Sequence, residues 1–137
     1  MMVDQQEEQN KVLSEEARNG ISKASNDFLF QYIVEKQDGS FGHLLDAGTG
    51  SHSLRWIASL FQNRMITQYT AITADEQMRQ TVLTESRTLQ IEEYGQVLIG
   101  NWFETKNTAT EKEDSSRNVL CNGQIYDTII ADYLIGA

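Results

Sequence analysis

The residues with the clearest chemical potential are Asp46-Ala47-Gly48-Thr49-Gly50, which follow the short apolar run His43-Leu44-Leu45. An apolar strand that ends in an acid and two alternate glycines, then opens a helix, suits an adenosine-containing or dinucleotide ligand. Glycine lets the backbone turn tightly and lets a ligand approach where a Cβ would block it. The first amides of a helix have no intrahelical acceptor and can meet a polar or anionic group. A loop of this kind lies at the carboxyl end of its strand, where open α/β sheets bind ligands. The same pattern also serves as a plain strand-to-helix turn, so its weight depends on the elements around it.

Those elements alternate. From Lys11 to Lys36 the apolar positions Val12, Leu13, Ala17, Ile21, Ala24, Phe28, Leu29, Tyr32 and Ile33 recur mostly at gaps of three and four, an amphipathic helix signal. Asn19-Gly20 is the place expected for a break in that run. Asp38-Gly39-Ser40 reads as a turn before the strand His43–Ala47. After the glycines, Leu54, Ile57, Ala58 and Phe61 share a helical face. Tyr69–Thr73 is a second strand, rich in β-formers. A helix from Glu76 carries Met78, Val82, Leu83 and Leu89 inward, and Gln96–Ile99 with Gly100 makes a third strand. The polar stretch Thr105–Asn118 has no periodicity and reads as an exposed loop. Ile125–Ala131 is a fourth strand, apolar enough to be buried on both faces. This rhythm predicts an α/β fold: a Rossmann-like parallel sheet with flanking helices, apparently truncated after the fourth strand. Residues 1-36 form a helical N-terminal segment ahead of a partial Rossmann-like domain over 37-137.

Leu44–Gly50 resembles the first motif of class I S-adenosylmethionine-dependent methyltransferases, an acid followed by glycines at alternate positions. The family's third glycine position falls on His52, so two of three are kept. The resemblance runs from roughly Phe28 to the end and implies S-adenosyl-L-methionine as cofactor, held by Asp46, Ala47, Gly48, Thr49, Gly50 and His52. In the family an acid at the end of the second strand binds the ribose hydroxyls. That register falls on Thr73, and the nearest carboxylate to it is Asp75, which also suits a helix cap. Past the third strand, Asn101 would meet the adenine amino group through its amide oxygen, and Trp102 would lie against the ring. Tyr126-Asp127 through Tyr133 is similar to the family's fourth strand, which makes Asp132 and Tyr133 the catalytic candidates, with Asp132 also near the cofactor. Methyl transfer from a sulfonium needs positioning more than covalent help, so no nucleophile–base pair is expected. The acceptor is not legible in the sequence. The family's sheet has seven strands and four are visible here, so the resemblance implies the cofactor half of a longer enzyme. Transferase activity is not expected from this polypeptide alone.

Composition narrows the partners. With 20 acidic against 11 basic side chains the formal charge is -9, which argues against non-specific binding to nucleic acid. No apolar run approaches the roughly 20 residues that span a bilayer, so no membrane partner is expected. The start, Met1 to Gln9, lacks the layout of a secretory signal, and the one cysteine, Cys121, cannot form an internal disulfide. A cytoplasmic protein is the expectation. His43, His52 and Cys121 match no zinc spacing, so no metal site is expected. Neither a Gly-x-Ser-x-Gly elbow nor a phosphate-binding Gly-Lys-Ser/Thr occurs. Glu113 and Asp114 belong to a run of mixed charge and read as solvated. Two other readings stand beside the leading one. An NAD(P)-binding Rossmann oxidoreductase would want glycine at position 53, where Ser53 stands. A non-catalytic, methyltransferase-like binding or scaffold protein would keep the fold without the reaction.

Overall fold

A computed structural model describes residues 13–100 and 125–131. Helix α1 spans Glu15–Ser25. Its N-cap Ser14 accepts a hydrogen bond from the Ala17 amide through Oγ at 3.0 Å, which satisfies one of the four unpaired donors at a helix start. The break expected at Asn19-Gly20 falls instead at Asn26-Asp27. The Asp27 carboxylate caps helix α2, Phe28–Lys36, by accepting from the Leu29 and Phe30 amides. Gly20 stays inside α1 because a Cβ there would meet the Arg55 side chain at 2.9 Å.

Four parallel strands follow: β1 (Gly42–Asp46), β2 (Ile66–Thr73), β3 (Gly95–Ile99) and β4 (Thr128–Ile130), in the spatial order β3-β2-β1-β4. Helix α3 (Ser51–Gln62) joins β1 to β2, and α4 (Glu76–Thr88) with a short 3-10 turn at Glu92–Tyr94 joins β2 to β3. The α/β fold, Rossmann-like in its parallel sheet and flanking helices, is therefore as the sequence predicts. Strand β2 begins three residues before the expected Tyr69. Its first turn of pairing carries the exposed Thr67 and Gln68, which hid it among polar residues. Two successive crossovers in one direction lay α3 and α4 on one face of the sheet. There Leu54, Ile57 and Leu60 of α3 and Val82 of α4 join Leu44, Tyr69, Ala71, Val97 and Ile130 in one buried cluster.

The N-terminal helices share that core. Ala17, Ile21, Ala24 and Phe30 belong to the same cluster. Phe30 stacks on Trp56 with ring centroids 4.4 Å apart and planes 8° from parallel, a pair worth about 0.5–1.5 kcal/mol beyond the area it buries. On the opposite face Leu45 and Ile72 pack with Leu98 and Tyr126. No helix among the described residues is long and apolar enough to cross a membrane.

Strand β4 is fixed to β1 at its amino end by Asp127. Its carboxylate Oδ2 accepts from the His43 amide at 2.8 Å, and its own amide donates to the His43 carbonyl at 2.9 Å. Gly42 makes room for this. It adopts a positive φ of 65°, coincides with a register shift in the β1–β2 pairing, and lies so near the Asp127 side chain that a Cβ would overlap the carboxylate.

Candidate functional site

The strand order reverses between β1 and β4, so their carboxyl ends flank the point where an open α/β sheet leaves a crevice. The segment Asp46–Gly50 crosses that point. The Ala47 amide donates to the Ile130 carbonyl at 2.8 Å, extending the pairing with β4, and the Thr49 amide donates to the Ile72 carbonyl of β2 at 2.9 Å. One loop is thus tied to both neighbours of its own strand. Thr49 Oγ1 also donates to the Asp46 carbonyl at 3.2 Å, which tightens the turn from within. Asp46, Ala47 and Thr49 are buried, while Gly48 and Gly50 are half-buried on the outer side.

Gly50 is the N-cap of α3 and has extended backbone. It has no side chain to cap with, and Ser53 takes over that role: Ser53 Oγ accepts from the Gly50 amide and donates to the Gly50 carbonyl, both at 3.2 Å. Spacing alone could have found this, since a serine three residues into a helix can reach back to the cap. The first-turn amides of α3 lack intrahelical acceptors, as in any helix, and here they open next to the two glycines.

The other residues named from sequence divide into three sets. His52 is turned to α2. Its Nε2 lies 3.1 Å from Asp27 Oδ2, and its ring stacks on Phe30 at 5.6 Å. The hydrogen bond from His52, ahead of those from the Leu29 and Phe30 amides, holds the Asp27 carboxyl below its usual value. Thr73 and Asp75 both lie at the carboxyl end of β2, yet each already has a structural task. Thr73 is buried, and its hydroxyl donates to the Leu98 carbonyl at 2.9 Å. Asp75 is exposed and caps α4, with Oδ1 accepting from the Met78 amide at 2.8 Å. The Gly100 amide bonds the Thr73 carbonyl at 2.9 Å, which draws the end of β3 to the same rim. Asn101, Trp102, Asp132 and Tyr133 lie outside the described residues, as do Cys121 and the charged stretch around Glu113.

Among the described residues no cluster of His, Cys, Asp or Glu could hold a metal ion. A cavity of about 320 Å³ lies away from the glycine loop, toward the amino ends of β2 and β3, with His43, Gln68, Thr70 and Glu93 in its wall. Tyr69 turns to the helical face, where its ring covers Gly95. Burial pushes its pKa up to about 12, against a smaller opposing influence of the Ser86 hydroxyl. That hydroxyl itself donates to the Leu83 carbonyl at 2.7 Å, and among the described residues the Tyr69 hydroxyl has no partner in hydrogen-bond geometry. In comparisons with known proteins, the chain matches no family model, no curated protein and no solved structure.

Proposed function

We propose that the chain binds S-adenosylmethionine at the carboxyl edge of β1, as the cofactor-binding half of a class I methyltransferase. The observation that supports this best is the strand order β3-β2-β1-β4, with the glycine loop crossing the end of β1 where the order reverses. The residues present fit such a ligand. Gly48 and Gly50 give a Cβ-free approach, the first amides of α3 offer donors, and Asp75 is an exposed carboxylate at the end of β2 suited to a vicinal diol. Asn101 and Trp102 would meet the adenine, and Asp132 and Tyr133 would face the acceptor. When bound, the sulfonium supplies an activated methyl group, and the task of the chain's own residues is to orient it and exclude water.

Ser53 favours this reading over a nicotinamide-binding one. A dinucleotide fingerprint wants glycine at that position for close helix–sheet packing. Here the serine is buried and clamps both ends of Gly50, so it is part of the loop's own architecture. Calorimetry of the full chain against S-adenosylhomocysteine and NAD tests the proposal. Saturable binding of the first and none of the second is expected. The reverse would overturn it, and binding of neither would favour a scaffold that keeps the fold without the ligand.

A further inference from the structure

His52 is the second residue of α3, two places after the half-buried Gly50 that caps the helix. Side chains on a helix favour rotamers that lean toward its N-terminus and cover the turn before their own Cα. For most helical residues that turn is helix. For His52 it is the glycine loop itself. A ring free to lean there would stand in the space that Gly48 and Gly50 leave without a Cβ.

In the structure the ring is held elsewhere. His52 Nε2 lies 3.1 Å from Asp27 Oδ2, and the ring stacks on Phe30 with centroids 5.6 Å apart. A carboxylate only accepts, so Nε2 carries a proton and donates it. Burial does not fix this placement, because the His52 side chain is 49% exposed. The two contacts do, and both come from α2. Asp27 Oδ1 caps α2 by accepting from the Leu29 amide at 2.9 Å and the Phe30 amide at 3.5 Å, which leaves Oδ2 for the histidine. Phe30 is buried and also stacks on Trp56, four residues after His52 on the same helix. The start of α2 is thus keyed into α3 beside the ring that it holds.

We infer that Asp27 is a positioning residue for the glycine loop: it holds the His52 ring against Phe30 and so keeps the approach to Gly48 and Gly50 open to a ligand. The role rests on the S-adenosylmethionine site proposed above, and it adds to that site a residue 25 positions before His52 in the chain. The two carboxylate oxygens have separate tasks. Oδ1 serves the helix, which a serine or threonine cap could do as well. Oδ2 serves the ring, and a shorter cap has no second oxygen to offer it.

Asp27→Ser separates the two tasks, because serine caps a helix as aspartate does and lacks the oxygen that meets His52. In calorimetry of the full chain, S-adenosylhomocysteine should bind this variant about twofold to fivefold more weakly than the unaltered chain, the scale of a half-exposed pair. Adding His52→Ala should restore the original affinity, since no ring remains to be held. A general loss of structure would not be reversed by a second substitution, so the rescue separates positioning from folding. Asp27→Thr, a cap of the same reach, replaces the serine variant should that one not fold. With no ligand present, nuclear Overhauser contacts of the His52 ring protons should pass from the Phe30 ring to the Gly48 and Gly50 amides in the Asp27 variant. Unchanged affinity in that variant, a ring that stays on Phe30, or a double variant that remains weak would each overturn the role and leave the ligand site standing. An unaltered chain that binds no S-adenosylhomocysteine would overturn the site and the role together.

Discussion

Replacing Gly42 with alanine should destabilise the chain by about 3 kcal/mol, through two separable causes. Gly42 has a φ of 65°, and a residue with a Cβ pays about 1–2 kcal/mol in that left-handed region. The added Cβ would also overlap the Asp127 carboxylate, which must leave its place on the His43 amide. A hydrogen bond to a charged group contributes about 1.5–3 kcal/mol, and the lower end applies because Asp127 is exposed. In an Asp127→Ala background the carboxylate is already gone and only the residue-127 Cβ, 2.9 Å from the added atom, has to give way, so Gly42→Ala should then cost about 1–2 kcal/mol for the conformation with a small steric remainder. Urea unfolding of the four species in a double-mutant cycle measures this, with an expected coupling of about 1.5 kcal/mol. An equal cost in both backgrounds would refute the carboxylate argument. A cost below about 0.5 kcal/mol in the Asp127→Ala background would refute the conformational one.

Tyr69→Phe removes a buried hydroxyl with no hydrogen-bond partner among the described residues and should leave stability unchanged or raise it by up to about 1 kcal/mol. The same residue gives an alkaline signature. The unfolded chain ionises Tyr69 near the ordinary tyrosine value of 10.0 and the folded chain only at about 12, so its contribution is complete below 10.0 and falls away as pH rises toward 12. The phenylalanine variant should show a shallower loss of urea midpoint over that range, and an identical slope would count against the burial argument. Asp27 works at the other end of the scale. Its carboxyl titrates below 3.8, so its contribution is present above that value and is lost as pH falls through the folded one. His52→Ala removes the largest cause, and carbon-detected titration of Asp27 should then move back toward 3.8; no movement would show that the helix amides alone set it.

Where local chemistry decided the structure, the sequence was legible. The run His43–Asp46 could be read as a strand because it is apolar, buried and stopped by glycine, and the loop could be read because its glycines sit where β1 must turn into α3. The helix boundary at Asp27 was also there to be read, as an acid immediately before an apolar run, but Gly20 looked the stronger breaker. Only the Arg55 side chain lying against it, 35 positions on, makes glycine useful inside α1. The partner of His52 was hidden for a similar reason: Asp27 is 25 residues away, and only the docking of α2 beside α3 brings them together. The pairing of His43 with Thr70 was illegible because period-two patterning assigns inward positions to apolar residues, and these two buried polar side chains break that rule.

The seam between β1 and β4 also has a temporal consequence. Contacts between β1 and β2 close a span of 25 residues, as in the pair His43–Gln68, whereas His43–Asp127 closes one of 84. Loop-closure entropy makes the longer span about 1 kcal/mol more costly, and the seam pairs only three residues of β1, against five paired with β2. Strand β4 should therefore be the last to dock during folding and the first to exchange its amide hydrogens in the native state. The crevice beside β1 would then exist only once the final strand is in place, so a ligand seated there would act as a latch on the slowest-formed contact in the chain.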